Sequence, residues 1–169
     1  MHNREKLHAF QAFRRWMLGV VLALAATTAA ADPQFAMAEL QRVRAQYATL
    51  ELDFQFGKAF ASVGNAASAR SQFERARIDA ALFGAYATRL QQQNQDSLQR
   101  GLYDDRAALE RAIVCNSVLR AQASVLQVQM AFLVQQPLSQ AQIASTDVQM
   151  AVTKVRLQQC IREQQAAGS

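Results

Sequence analysis

Cys115 and Cys160 are the only cysteines of this 169-residue chain, and they stand almost symmetrically about Pro137, 22 positions before it and 23 after it. If the flanking segments are helices folded back at Pro137 and Leu138, each cysteine lies about 33 Å from the turn at 1.5 Å per residue. The two thiols then face each other across an antiparallel pair, and a Cys115–Cys160 disulfide is expected. Closing a loop of 44 intervening residues stabilises a fold by about 4 kcal/mol on a chain-entropy estimate. The spacing is not C-x-x-C and no base stands beside either thiol, so a structural bridge is expected rather than a redox-active one.

Such a bridge needs an oxidising compartment, and the first 31 residues read as the means of reaching one. Arg4, Lys6, Arg14 and Arg15 form a basic start, an apolar run follows from Trp16 to Ala26, and Ala29, Ala30 and Ala31 supply small residues for a peptidase. This is the pattern of a cleaved secretory signal peptide, with the cut expected after Ala31. The apolar run holds 11 residues where about 20 are needed to span hydrocarbon, so membrane contact is expected only during export. The destination is the bacterial periplasm or the medium.

Residues 32–169 are then expected to form one mature domain, long enough to bury roughly 68% of its unfolded surface. The leader takes four basic residues and one acidic residue with it, which leaves 14 positive and 12 negative side chains, a net +2. A basic surface for nucleic acid loses its support at that balance. Both histidines, His2 and His8, also belong to the leader.

Helix breakers are few in the mature part: Pro33 and Pro137, with Gly57, Gly64, Gly84, Gly101 and Gly168. Between them Ala, Gln, Leu and Arg dominate, all residues of high helix propensity. The breakers predict helices over about 35–63, 66–99 (with a break near Gly84), 103–136 and 139–165. The fold class is therefore all-α, a helical bundle of stacked antiparallel hairpins. In the third segment Leu109, Ala112, Asn116, Leu119, Ala123, Leu126, Met130 and Leu133 recur in fours and threes, the rhythm of a coiled-coil seam. Val114, Val118, Ala121, Val125, Val128 and Phe132 repeat that rhythm on an adjacent face. Two rows make a wide apolar surface, so this helix is expected at the centre of the bundle, packed on more than one neighbour.

Catalytic chemistry finds few candidates. Without histidine the mature part has no Ser-His-Asp or Cys-His set and lacks the commonest transition-metal ligand. Its acids are scattered. Asp104 and Asp105 are adjacent just after Gly101, where helix capping accounts for them. Glu51 and Asp53 stand two apart on one helix and diverge. No catalytic residue, cofactor or metal site is assigned.

From Phe56 to Ala76 the residues F-G-K-A-F-A-S-V-G-N-A-A-S-A-R-S-Q-F-E-R-A resemble a tetratricopeptide repeat. Phe56, Gly57, Phe60, Gly64, Ala69, Phe73 and Ala76 fill the family's places at its spacing. The resemblance, over about residues 50–83, implies a helical hairpin in which these seven are buried scaffold positions. It also implies binding to other proteins. No second unit follows 34 residues on, where Gln91 and Tyr103 stand, so an Ala-rich pair within an ordinary bundle is the alternative.

A non-enzymatic envelope or secreted protein that works through its helical surface is the functional expectation, as adaptor or subunit of an assembly with a protein partner in the cell envelope. The 22 glutamines of the mature part supply polar helix faces without charge. The alternative is a periplasmic chaperone or inhibitor holding exposed segments in a groove lined by Tyr47, Phe54, Phe83 and Tyr86. Oligomeric state is left open.

Overall fold

The computed structural model describes residues 33–135 and 137–168. The leader read over residues 1–31 and its cleavage point lie outside the described residues. Within them the chain forms four helices: α1 (Pro33–Ser62), α2 (Ala66–Arg100), α3 (Arg106–Gln135) and α4 (Gln140–Ala167). Each packs against the next in the chain and α4 returns to α1, which makes an up-down-up-down bundle. No strand occurs among the described residues.

One periodicity explains all four helices. Buried positions run Ala36, Leu40, Val43, Tyr47, Leu50 and Phe54 in α1, and Ala69, Phe73, Ala76, Ala80, Phe83, Ala87, Leu90, Asn94 and Ser97 in α2. In α3 they include the expected row from Leu109 to Leu133, and in α4 Ile143, Thr146, Met150, Thr153, Leu157, Cys160, Gln164 and Ala167. Every step along these rows is three or four, so each helix keeps one seam turned inward, with Glu39, Ala108 and Cys115 buried beside it. The threonines fit this seam because Thr146 and Thr153 donate their hydroxyls to the carbonyls of Gln142 and Gln149, each at 2.9 Å, which satisfies them within the helix.

The turns fall where the breakers predict. Gly64 takes φ +75°, a left-handed conformation that costs a residue with a Cβ more than glycine, and Asn65 then caps α2 by accepting from Ser68 N at 3.1 Å. Asp105 caps α3, accepting from Ala108 N at 2.9 Å. The break expected near Gly84 does not occur: α2 runs through it unbroken. A Cβ at Gly84 would come 3.1 Å from that of Ala123, so this glycine serves the close approach of α2 to α3.

Across the α3–α4 hairpin the Cys115 and Cys160 Cα atoms are 5.4 Å apart, with the sulfurs paired, as the symmetry about Pro137 predicts. Near that level the core divides. The main apolar cluster gives way to a small second one of Ala108, Leu109 and Ala167, with Leu98, Tyr103 and Ile113 packed against it. The buried polar residues Asn94, Asn116 and Gln164 stand between the two.

Candidate interaction surface

The two apolar rows of α3 have opposite fates. The row beginning at Leu109 fills the core, whereas Val114 is 63% exposed, Val128 55% and Phe132 51%, and Ala121 and Val125 are also exposed. Helix α3 packs on two neighbours, α2 and α4, as expected, but it does so with the inner row, and the second row does not pack within the bundle. Contacts with α2 and α4 flank the inner seam and leave the outer row at the back of the helix. From Ala112 to Thr146 the only charged residue is Arg120, so this face has no charged cover. By length and composition α3 would also pass for a membrane-crossing helix.

Helix α4 also carries an exposed apolar row. Val148, Val152 and Val155 are exposed, again in steps of four and three, on the side of α4 away from the core. Between α3 and α4, at the disulfide end, lies an open groove of about 570 Å³ with Val114, Cys115 and Val118 along one wall and Arg156 and Gln159 along the other. Its far end is closed by the Arg111–Glu163 ion pair at 3.0 Å. Val114 and Val118 belong to both groove and row, so the groove continues the row at the disulfide end, where Glu110, Arg111, Arg156 and Glu163 also line it.

The repeat-like residues are placed as follows. Ala69, Phe73 and Ala76 are fully buried and Phe60 packs partly buried against the core. Gly57 is buried under the Phe73 ring, where a Cβ would come within 2.6 Å of Cδ1. Phe56 does not follow the implied pattern: it is 48% exposed, because the Phe54 side chain takes the inward position and meets Phe73 at a ring separation of 5.8 Å. Gly64 is exposed at its turn. Helices α1 and α2 run from 33 to 100, about twice the 34-residue length of one such unit.

The aromatic groove expected of a chaperone does not form from the residues named for it. Tyr47, Phe54 and Phe83 are buried in the core and Tyr86 packs against it. Tyr47 stacks edge-on to Phe83 at 5.6 Å and donates its hydroxyl to the Met150 carbonyl at 2.6 Å, tying α1 to α4. Burial, with the nearby Glu51 charge as a smaller cause, holds that phenol well above its usual range.

Two carboxylates meet between α1 and α2. Asp79 on α2 accepts from Gln46 Nε2 at 2.7 Å, and Asp53 of α1 stands beside it. Burial first and the Asp53 charge second push Asp79 up from the ordinary carboxylate range, against the opposing effect of the Gln46 hydrogen bond. Among the described residues no three His, Cys, Asp or Glu side chains are gathered as a metal site. No family model, characterised protein or solved structure matches this chain.

Proposed function

We propose that this chain is an exported, non-enzymatic helical interaction module, an adaptor or subunit of a cell-envelope assembly. The single observation that carries the reading is the uncovered outer surface of the α3–α4 hairpin. A soluble bundle gains nothing from a heptad row of Val and Phe turned to water, and exposed apolar patches of this extent mark binding surfaces. The disulfide and the leader-like first 31 residues support an oxidising destination, periplasm or medium. The α1–α2 hairpin acts as scaffold, a single degenerate unit of the tetratricopeptide kind; the close seat of Phe73 over Gly57 supports that part of the reading.

The test is crosslinking in the native envelope, followed by affinity capture and mass spectrometry, with the native chain and a Val125→Asp/Val128→Asp variant compared. One reproducible complex, lost in the variant, is expected. Many unrelated unfolded clients would favour the chaperone alternative, and turnover of a cell-wall polymer by the purified chain would overturn the non-enzymatic reading. Fractionation with N-terminal sequencing tests the export component, for which a mature chain beginning at Asp32 is expected.

A further inference from the structure

The outer row of α3 carries a knob at one end and a hole at the other. Phe132 projects half-exposed near the Pro137 turn, and the groove beside Val114 and Val118 opens at the disulfide end. They stand 18 residues apart on one helix face, which is about 27 Å along the axis. A two-fold axis beside Ala123 exchanges position 132 with 114, 128 with 118 and 125 with 121. Both aromatics of a pair therefore reach the partner's groove at once, the self-complementarity that an isologous interface requires.

We infer that the occupant of this surface is a second copy of the chain, paired antiparallel through α3, with each Phe132 seated in the other copy's groove between Val114, Val118 and Arg156. The inference rests on the interaction-module reading and names its partner. Avoidance of like-charge contact favours the antiparallel arrangement. Arg106, Glu110 and Arg111 of one copy overlie the stretch from Ala131 to Thr146 of the other, which holds no charged residue, whereas a parallel pairing sets Arg111 against Arg111. The apolar surface open to a partner is extensive as well: Val114, Val125, Val128 and Phe132 of α3 and Val148, Val152 and Val155 of α4 are each between 41% and 65% exposed. Phe132 entering a groove edged by the Arg156 guanidinium has the form of an anchoring contact, an aromatic in a pocket beside a cation.

Sedimentation equilibrium on the purified full chain tests this, with Phe132→Ala, Phe132→Glu and the crosslinking variant Ala121→Cys/Val125→Cys. A dimer is expected, weakened at least about tenfold by Phe132→Ala and abolished by Phe132→Glu with helicity unchanged and a melting midpoint equal to that of the native chain diluted to monomer, and the double-cysteine variant should close an interchain disulfide. A chain that stays monomeric at about 100 µM, or a dimer indifferent to Phe132→Glu, overturns the inference. Two related results overturn it while sparing or replacing the broader reading. A monomer that loses capture of a different envelope protein on Phe132→Glu assigns the surface to that protein. A monomer that binds phosphatidylglycerol vesicles through Phe132 assigns it to a membrane.

Discussion

Asn94 and Gln164 exchange two hydrogen bonds across the bundle, Asn94 Nδ2 donating to Gln164 Oε1 at 2.6 Å and Gln164 Nε2 donating to Asn94 Oδ1 at 3.2 Å. Neither side chain has any exposed surface. Each amide is the other's remedy for burial. Asn94→Leu alone strands the Gln164 amide in the core and is expected to cost about 2 kcal/mol in urea unfolding. Asn94→Leu/Gln164→Leu should recover most of that loss; simple addition of the two single effects would show that the amides are not coupled.

Reduction of the Cys115–Cys160 bridge, or the Cys115→Ser/Cys160→Ser double variant, is expected to lower unfolding free energy by up to about 4 kcal/mol, since the cross-link spans 45 positions and its removal frees that loop in the unfolded chain. Far-UV circular dichroism should still show a helical fold in mild conditions, because the seams remain. A chain equally stable in dithiothreitol and in air would contradict the prediction.

Gly57→Ala sets two effects against each other. Alanine favours the helix by about 1 kcal/mol over glycine, but the new methyl meets the Phe73 ring, which is itself buried against Phe54 and has no open space to enter. Overpacking of this kind costs about 1–3 kcal/mol, so a lower melting temperature is expected. Gly57→Ala/Phe73→Leu, which clears the methyl, should regain part of the loss relative to Phe73→Leu alone.

Asp79 provides the pH-dependent case. Its pKa is raised in the fold by burial and by Asp53, so the native state holds the proton more tightly than the unfolded chain does. Stability from this group is present at acid pH and falls as pH rises through the raised pKa. Asp79→Asn keeps an acceptor for Gln46 and removes the buried charge. It is expected to raise the melting temperature at pH 7 and to have little effect at pH 3; the reverse ordering would rule out the assigned cause.

Much of the fold was legible because two independent signals agreed. Breakers located the turns at Gly64, Gly101 and Pro137, and the near-equal distances of Cys115 and Cys160 from Pro137 then put the two thiols opposite each other. Which α3 row turns inward was not legible, since both rows are apolar with the same rhythm. The packing of α3 on α2 and α4 decides it: Leu119, Leu126, Met130 and Leu133 are buried, while the β-branched valines and Phe132 are left outside. Phe56 misled because it shares a face with residues of the repeat pattern, although Phe54, seven positions from Tyr47, was on the inner seam. The Asp53–Asp79 neighbourhood was invisible because it depends on how α1 and α2 slide against each other, which neither helix specifies alone.

A seam with a seven-residue repeat is nearly indistinguishable from itself after a shift of seven. If α4 slid by one heptad, about 10.5 Å, Met150 would stand where Ile143 stands and Leu157 where Met150 stands, and the apolar core would scarcely register the error. Asn94 with Gln164 removes that ambiguity, since the slip would carry the Gln164 amide to the place of Leu157, among hydrocarbon, and leave Asn94 without its partner. Such a pair acts as an index mark: two uncharged amides reward the one alignment that also brings the two thiols together.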